Sequence, residues 1–259
     1  MTSLELRAIR EGHTGGVPVV LLHSICSSAD LWLPQMIPWR GVLRTIRVDL
    51  PGHGFSPSLG GTPALADYAD ALAATLDSTD ERRIAIVGTS FGSMVAQAFA
   101  LRYPDRVAAL VLAHAGARTS EEVSAIWAQR LQQFDLNGMS AHVHSTVGRW
   151  LSADFGQASP LTSGWLAGLV RATSVAGYRE AVNAIRGLDH VAALASIACP
   201  TLVVAGTQDA AVPMPVVRSV AERIPGAEFA TLDAGHMSNV EQPVRFAELV
   251  GGFLSARSR

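Results

Sequence analysis

Short apolar runs alternate with longer segments of helical periodicity along most of the chain. Such runs are typical of buried strands, and the segments between them place their apolar residues along one side of a helix. This alternation predicts an α/β fold with a mostly parallel central sheet and helices on both faces. We predict strands over residues 4–9, 17–22, 43–48, 84–87 and 107–112 and near Leu202 and Phe229, and helices from Asp30 and over residues 64–76, 91–103 and 244–254.

Residues 117–198 interrupt the alternation, because they are compatible with helix throughout and contain no clear strand. We predict a helical cap, inserted after the sixth strand between two parts of a core, residues 1–116 and 199–259. A cap over the carboxyl edge of the sheet would exclude water and shape a pocket. The alternative is a helical layer that lies far from any active site at this edge. The insert has too many large apolar side chains for a linker: Trp127, Leu131, Phe134, Trp150, Phe155, Trp165, Leu169 and Tyr178.

Ser90 lies between a β-rich apolar run and a helix-like run, within the pattern Gly-x-Ser-x-Gly. This is the pattern of a nucleophile elbow, a strained turn that lifts the serine hydroxyl above a sheet. Side chains at Gly88 or Gly92 would clash where two backbone segments come close. The alternative is an ordinary glycine-rich turn with a surface serine. The position between strand and helix favours the nucleophile.

A serine nucleophile needs a base and a residue that orients the base. Asp209 follows the predicted strand near Leu202, and His236 follows the one near Phe229. The carboxyl ends of strands in an open α/β sheet meet at the edge where active sites form. The chain order Ser90, Asp209, His236 therefore predicts a triad of nucleophile, acid and base.

Other residues compete for the acid and base roles. Asp233 lies only three residues before His236, at the end of its strand, so we expect it to point along the wrong face. Residues 113–116, where some proteins of this architecture carry the acid, hold no carboxylate. Four further histidines are typical of loop, surface or insert positions: His13, His142, His144 and His190.

The oxyanion that develops during acyl transfer needs two N–H donors. Phe91 follows the serine at the start of a helix, where backbone N–H groups are free. The small-residue loop at 23–28 joins a strand to a helix, and we predict that Ile25 supplies the second donor through its backbone. His23 is expected to buttress this loop. The alternative is a plain connecting loop.

Composition narrows the class of function. The 259 residues are 49% hydrophobic and 16% charged, which suffices for one α/β domain with an insert. A formal net charge of −2 favours neither a nucleic-acid nor an anionic-membrane partner. The chain has no apolar run long enough to span a membrane, and residues 1–7 lack the apolar segment of a secretion signal. We therefore expect a cytoplasmic location.

The two cysteines, Cys26 and Cys199, do not make a disulfide framework. Cys26 lies in the predicted oxyanion loop, and we expect it to be partly exposed. Cysteine and histidine nowhere cluster with the spacing of a zinc site, and no phosphate-binding glycine loop is present. The sequence therefore predicts no metal and no cofactor, with a small-molecule acyl substrate as partner, and leaves the oligomeric state open.

Four stretches together resemble the 3-oxoadipate enol-lactonases of the α/β-hydrolase superfamily. They are the His-Ser loop with the Trp-x-Pro-Gln helix at 21–35, the Asp-Leu-Pro-Gly-His-Gly segment at 49–56, the approach to the insert at 110–118, and Gly-His-Met-Ser-Asn-Val-Glu-Gln-Pro at 235–243. The last string is the most specific. The resemblance covers essentially the whole chain. It implies that a lactone ring is opened through an acyl-enzyme, in the catabolism of aromatic compounds.

The chain departs from the pattern of this family at three places. The family usually has glycine where Cys26 stands, an Asn-Thr pair where His114 and Ala115 stand, and smaller or sulfur-bearing neighbours of the nucleophile. The three triad residues match the pattern of the family, whereas the sequence does not decide the substrate. The alternatives are a carboxylic ester, another lactone, or a carbon–carbon bond in a diketo acid. A ligand-binding protein that keeps the fold and the triad is the alternative of a different class.

The substrate of this family carries a carboxylate, so the resemblance implies a cation in the pocket. An arginine fork fits a carboxylate best. Arg130 lies one helical turn from Trp127, and it is our candidate, with a solvated surface arginine as the alternative. Trp32, Trp150 and His114 are the other candidates for binding substrate, with core packing as the alternative. The other candidates among the arginines of the insert are Arg149, which adjoins Trp150, and Arg171, Arg179 and Arg186.

Overall fold

The computed structural model describes residues 5–12 and 15–257, in which seven strands form one sheet. The strands are β1 (Ala8–Gly12), β2 (Val19–Leu22), β3 (Arg44–Val48), β4 (Ile84–Thr89), β5 (Val107–Ala113), β6 (Thr201–Gly206) and β7 (Glu228–Leu232). The helices are α1 (Leu33–Trp39), α2 (Leu65–Asp77), α3 (Phe91–Arg102), α4 (Glu121–Trp150), α5 (Ala153–Ala158), α6 (Pro160–Ala172), α7 (Val175–Arg186), α8 (Met214–Ala221), α9 (Ser238–Glu241) and α10 (Pro243–Ser255).

The strands lie in the order β1-β3-β2-β4-β5-β6-β7. β1 runs antiparallel to β3, and the other neighbours are parallel. Parallel strands bring their carboxyl ends to the same edge of the sheet. The loops that follow β2, β4, β5, β6 and β7 therefore meet at this edge, where open α/β sheets form their sites.

Side chains of the central strands alternate between two cores on opposite faces of the sheet. In β2, Val20 and Leu22 join one core, whereas Val19 and Leu21 join the other. Residues of α2, α3 and α8 belong to the first core, and residues of α1 and α10 to the second. Because both faces are buried, the strands appear in the sequence as continuous apolar runs rather than alternating ones.

The insert between β5 and β6 consists of α4, α5, α6 and α7. α4 is the longest helix with 30 residues, and it is interrupted at Gly138, where φ is 71° and ψ is 175°. An isolated β-bridge between Arg118 and Asp189 joins the two ends of the insert. Among the described residues, no helix is both long and apolar enough to cross a membrane.

α7 attaches the insert to the loop that follows β3. A Cβ on Gly52 would lie 2.3 Å from the Cα of Gly177, so the two backbones touch directly. The Glu180 carboxylate accepts hydrogen bonds from the backbone N–H groups of Leu59 and Gly60, at 3.1 and 3.0 Å. The insert therefore packs against a loop at the carboxyl edge of the sheet.

The predicted fold class is confirmed, with two corrections of detail. The first strand begins at Ala8 rather than at residue 4, which lies outside the described residues. Leu6 is buried, but its N–H donates to Thr75 Oγ1 at 3.0 Å instead of joining the sheet. The insert follows β5, the fifth strand of the described residues and not a sixth, because only β1 precedes β2 there.

Candidate active site

Ser90 occupies the turn between β4 and α3. Its backbone has φ of 54° and ψ of −118°, a conformation that residues other than glycine rarely adopt. The Ser90 N–H donates to the carbonyl oxygen of Ala113 at 2.8 Å, which anchors the turn on the end of β5. The side chain of Ser90 lines a cavity of about 280 Å³.

The two glycines of the motif lie where backbone segments come into contact. A Cβ on Gly88 would lie 2.4 Å from the carbonyl oxygen of Gly92. A Cβ on Gly92 would lie 2.2 Å from the carbonyl oxygen of Leu22. Both oxygens belong to closely packed interior backbone, which cannot shift cheaply. The strand, turn and helix around Ser90 thus have the geometry of a nucleophile elbow.

Asp209 and His236 lie on neighbouring loops, after β6 and β7. His236 Nδ1 lies 2.8 Å from Asp209 Oδ2, and both residues are buried. The loops are also joined directly, since the Gln208 N–H donates to the carbonyl oxygen of Ala234 at 3.0 Å. The backbone therefore fixes the two side chains relative to each other.

Four hydrogen-bond donors surround the carboxylate of Asp209. Oδ2 faces His236 Nδ1 and also His114 Nδ1, which lies 3.0 Å away. Oδ1 accepts the N–H groups of Ala211 and Val212 at 2.8 and 2.9 Å. Burial alone would raise the pKa of Asp209, but the two imidazoles hold it well below its usual range. Asp209 is therefore ionised, and His236 carries its proton on Nδ1.

Ser90 and His236 line the same cavity. Because His236 Nδ1 is bonded to Asp209, Nε2 is the ring nitrogen that remains for the serine. In the described part of the chain, no hydrogen bond joins Ser90 Oγ to His236. Bonds of this kind are often long in free enzymes and tighten in the reacting complex. A serine and a histidine that line one cavity, with an aspartate behind the histidine, are the groups that acyl transfer to a serine requires.

Phe91 and Ile25 are the two predicted oxyanion donors. Phe91 is the first residue of α3, so the helix itself offers no acceptor for its N–H. Ile25 lies in the loop after β2 and lines the cavity. Within residues 5–12 and 15–257, neither N–H donates to a protein acceptor. The described part of the protein therefore engages neither of the two predicted oxyanion donors.

Buried residues shape the Ile25 loop. His23 Nδ1 lies 2.7 Å from the carbonyl oxygen of Ser24, and His23 Nε2 accepts the N–H of Leu50 at 2.9 Å. Burial lowers the pKa of His23, which is therefore neutral. Cys26 is buried, contrary to the expected partial exposure, because it packs into the core. Burial raises the pKa of the Cys26 thiol to about 12, so the thiol stays protonated.

The insert supplies one wall of the cavity. The predicted Arg130 and Trp150 both lie there, and the Arg130 guanidinium sits 4.9 Å from the centre of the Trp127 ring. Arg149, another arginine of the insert, lines the same wall, as does Tyr178 of α7. Apolar residues outside the insert complete the lining: Met94, Val212, Pro213 and Val216.

Trp32 and His114, predicted to bind substrate, do not line this cavity. Trp32 is fully buried and packs against Phe246 of α10, with ring centroids 6.0 Å apart, in the core of α1 and α10. His114 is also fully buried, and its ring reaches Asp209 instead of the cavity. Both side chains pack in the interior, as the packing alternative predicts.

The competing acid and histidines lie away from the triad. Asp233 is exposed and accepts hydrogen bonds from Thr207 Oγ1 and Gln208 Nε2, at 2.9 and 2.8 Å. Its carboxylate is thus engaged on the outer side of the loop. Three of the four histidines do not line the cavity: His142, His144 and His190. The fourth, His13, lies outside the described residues.

Sequence reasoning missed two connections of the His236 loop. Ser238 Oγ lies 2.7 Å from His114 Nε2. Glu241 accepts the N–H of Ser152, at the end of α4, at 2.9 Å. Both residues belong to the specific string at 235–243, but the string does not reveal partners so distant along the chain.

One group of side chains has the donor atoms of a metal site. Ligand atoms of His114, Asp209 and His236 all lie within 4.8 Å of one another. Both Nδ1 atoms are hydrogen-bonded to Asp209 Oδ2. A metal ion would have to replace these bonds, so the geometry is that of a hydrogen-bond network.

Comparison with known proteins identifies the family. The family described as alpha/beta hydrolase fold matches residues 17–243. The chain belongs to this family. The match extends from just before β2 to the first residue of α10, so it includes all three members of the predicted triad.

Relatives of this hydrolase include enol-lactonases and an esterase. It is 26% identical over 238 residues to 3-oxoadipate enol-lactonase 1 of Acinetobacter baylyi, covering 92% of this chain and 88% of that protein. The enol-lactonase from Burkholderia xenovorans superposes with a TM-score of 0.94 at 27% identity, covering 98% of each chain. A thermophilic esterase from Thermogutta terrifontis, solved with malate bound, gives 0.92 at 27% identity, with 99% and 95% covered. The resemblance to enol-lactonases is confirmed, and a hydrolase of a small molecule is supported.

Proposed function

We propose that this hydrolase opens a small enol-lactone of the 3-oxoadipate type through an acyl-enzyme. Ser90 is the nucleophile, His236 the base, and Asp209 the residue that orients the base. One observation carries the proposal: Ser90 and His236 line one cavity, while buried Asp209 holds His236 by Nδ1. The likeness to two enol-lactonases favours this substrate among those that the triad can serve.

The first half-reaction acylates Ser90. Its Oγ attacks the lactone carbonyl carbon while His236 Nε2 takes the hydroxyl proton. The N–H groups of Phe91 and Ile25 bind the tetrahedral oxyanion, and losing one such donor typically costs about 10²–10³ in turnover. Collapse breaks the bond between the carbonyl carbon and the ring oxygen. The ring oxygen takes the proton from His236 and becomes an enol, and the opened chain remains as an ester on Ser90.

The second half-reaction releases the product. His236 Nε2 takes a proton from water as the water oxygen attacks the ester carbonyl, and the same two N–H groups bind the oxyanion. Ser90 Oγ then leaves and regains its proton from His236. Asp209 stays ionised throughout and keeps His236 in the tautomer with a proton on Nδ1. The product is a dicarboxylate, and its enol reverts to a ketone.

Two arginines support a substrate that carries a carboxylate. Arg130 and Arg149 line the cavity and are half-buried. Within the described residues, neither forms a salt bridge or a hydrogen bond. Burial lowers the pKa of each guanidinium, yet arginine remains charged in proteins. A partly desolvated cation without an anionic partner is costly, and a substrate carboxylate would offset that cost.

The proposal also gives the insert a role. Residues 117–198 act as a cap on a core of residues 1–116 and 199–259. The cap brings Arg130, Arg149 and Trp150 to the nucleophile. By closing over the cavity, it keeps bulk water from the acyl-enzyme and strengthens the attraction between the arginines and an anionic substrate. A cytoplasmic location stays a prediction.

The test compares kcat/KM for 3-oxoadipate enol-lactone, a neutral aryl ester and a vinylogous diketo acid. We expect the lactone to react fastest by orders of magnitude. Arg130→Gln and Arg149→Gln should each raise KM for the lactone by about 10-fold or more, since a hydrogen bond to a charged group contributes about 1.5–3 kcal/mol. The KM of the aryl ester should barely change, because that substrate carries no carboxylate.

The exposed Arg171 of α6 provides the matched control, Arg171→Gln, which should leave both KM values unchanged. An aryl ester or diketo acid that reacts faster than the lactone by orders of magnitude would rule out the proposed substrate. Equal rises in KM for the lactone and for the neutral aryl ester would show that the two arginines do not bind a carboxylate.

A further inference from the structure

His114 has an unusual backbone conformation at the end of β5. Its φ is 58°, in the left-handed region, which costs a residue other than glycine about 1–2 kcal/mol. The His114 N–H donates to the carbonyl oxygen of Val204 in β6 at 3.0 Å. This bond places the residue beside the loop of Asp209. The ring is fully buried, so both nitrogens need partners.

Each ring nitrogen of His114 has one partner. Nδ1 lies 3.0 Å from Asp209 Oδ2, and Nε2 lies 2.7 Å from Ser238 Oγ. Since ionised Asp209 can only accept, the proton must lie on Nδ1. Nε2 then offers a lone pair, and the Ser238 hydroxyl donates to it. Burial lowers the pKa of His114, which agrees with a neutral ring in this single tautomer.

We propose that His114 is a positioning residue of the triad: a second imidazole that donates to the same carboxylate oxygen as His236 and is itself held by Ser238. The inference rests on the proposed function of Ser90, Asp209 and His236. It extends the chain of hydrogen bonds behind the nucleophile by two residues.

The second donor has two consequences for catalysis. It restrains the Asp209 carboxylate, so that Oδ2 stays directed at His236. It also withdraws negative charge from Oδ2, which weakens the attraction between Asp209 and the protonated form of His236. Without this donor, the carboxylate is less well oriented and the protonated base is favoured. Activation of Ser90 should then become slower. The acid limb of the pH profile, where the reactivity of Ser90 falls as pH falls, should move to higher pH.

Few charged groups face the His114 ring. The ionisable neighbours that act on it are Asp209, His236 and Glu241. The centroid of the His236 ring lies 5.5 Å away, at an interplanar angle of 67°. Glu241 is bonded to Ser152 and so remains in place when His114 is changed. Both His114→Asn and His114→Leu lose the bond to Ser238, so the difference between these two variants is assigned to the bond with Asp209.

The chemistry of the side chain permits a matched pair of variants. His114→Asn places an amide N–H where the ring Nδ1–H stood, because both nitrogens are bonded to Cγ. His114→Leu places a methyl group at that point and so removes the donor. His190→Leu is the control for loss of a largely buried histidine, since His190 is bonded to Gln97 and lies outside the triad.

The readout is the rate of Ser90 labelling by a fluorophosphonate, measured across the acid limb. We expect His114→Leu to label about 10-fold more slowly or worse, because a bond to a charged group is lost. Its acid limb should move to higher pH. His114→Asn and His190→Leu should keep the acid limb of the unsubstituted protein. Superimposable profiles for His114→Leu and the unsubstituted protein would overturn the inference.

A second measurement needs no variant. The ¹⁵N chemical shifts of His114 in the intact protein should show a protonated Nδ1 and an unprotonated Nε2. A proton on Nε2 would overturn the inference. Labelling of Ser90 without turnover of the lactone would remove only the proposed substrate and leave the role of His114 standing. No labelling of Ser90 at all would remove the triad and the role of His114 together.

Discussion

The carboxylate of Glu241 accepts hydrogen bonds from both the N–H and the hydroxyl of Ser152, at 2.9 and 2.5 Å. It also accepts the N–H of Gly235 at 3.0 Å, one residue before the base. The Met237 N–H donates to the carbonyl oxygen of Trp150 at 3.0 Å. The loop of the base and the end of α4 that lines the cavity are therefore one hydrogen-bonded unit.

Glu241→Gln should disturb this unit. The amide oxygen can replace Oε1 and accept the N–H groups of Ser152 and Gly235, but the NH₂ group then faces the Ser152 hydroxyl, which must change from donor to acceptor, and the negative charge that strengthens all three bonds is lost. We expect the free energy of unfolding to fall by about 1–3 kcal/mol, as for a lost bond to a buried charge, and kcat for the lactone to fall as well. Urea denaturation and steady-state kinetics measure the two effects. Glu248→Gln, at an exposed position of α10, is the control, and identical behaviour of both variants would refute the assignment.

The close backbone contact at Gly92 predicts that a side chain at this position destabilises the protein. Gly92→Ala places a Cβ 2.2 Å from the Leu22 carbonyl oxygen, so we expect a loss of about 1–3 kcal/mol in unfolding free energy and a fall in kcat. Gly252→Ala, in α10, meets no atom within 4 Å and should stabilise the protein by about 0.5–1 kcal/mol. Thermal unfolding of the two variants should therefore shift in opposite directions. A common shift would argue against the tight elbow.

Asp209 should matter through the tautomer of His236. Asp209→Asn keeps the shape of the side chain but can donate to the imidazole, so we expect kcat to fall by about 10⁴ with the fold intact. Asp233→Asn removes an exposed carboxylate that is bonded only on the outer side of its loop, and it should retain nearly full activity. A comparable fall in kcat in the two variants would contradict the choice of Asp209 as the acid.

His53 should make stability depend on pH. Burial lowers its pKa to about 3, because a charged ring would lie in the interior beside His23. The unfolded chain takes up the proton near pH 6.5, so between about pH 6.5 and pH 3 the unfolded state binds more protons than the folded one. Stability therefore falls as pH falls, by about 2 kcal/mol from this residue at about pH 5.

His53→Gln removes this titration. The unfolding free energy of the variant should change less between about pH 7 and pH 5, by about the same 2 kcal/mol. Urea denaturation at the two pH values measures the difference. The smaller stability of the variant at neutral pH does not enter, since only the slope is compared. An unchanged slope would show that His53 is not the group that takes up the proton.

Local pattern was enough to predict the fold and to place the three residues of the proposed triad at one edge of the sheet. Strands buried on both faces leave continuous apolar runs, so the loops that hold Asp209 and His236 could be placed at one edge of the sheet. Gly88 and Gly92 flank Ser90 because no other residue fits where the backbones touch. Each of these features depends on neighbours in sequence or on a general rule of α/β sheets.

The sequence did not predict which residues far apart along the chain come into contact. Trp32 is apolar enough for a cavity or for a core, and its contact with Phe246, far along the chain, selects the core. His114 meets Asp209 across a separation of 95 residues, and only the fold brings the two together. Leu6 has the alternation of a strand, yet its N–H bonds to a helix. Such partners are set by tertiary contacts.

The most direct test of the account is mass spectrometry of acid-quenched mixtures of the protein and 3-oxoadipate enol-lactone. Ring opening by Ser90 loses no atoms, so the peptide that contains Ser90 should gain the full mass of the lactone. The adduct should persist longer in Asp209→Asn, whose deacylation is slow, and be absent from Ser90→Ala. An adduct on another residue, or undiminished lactone hydrolysis by Ser90→Ala, would contradict the account.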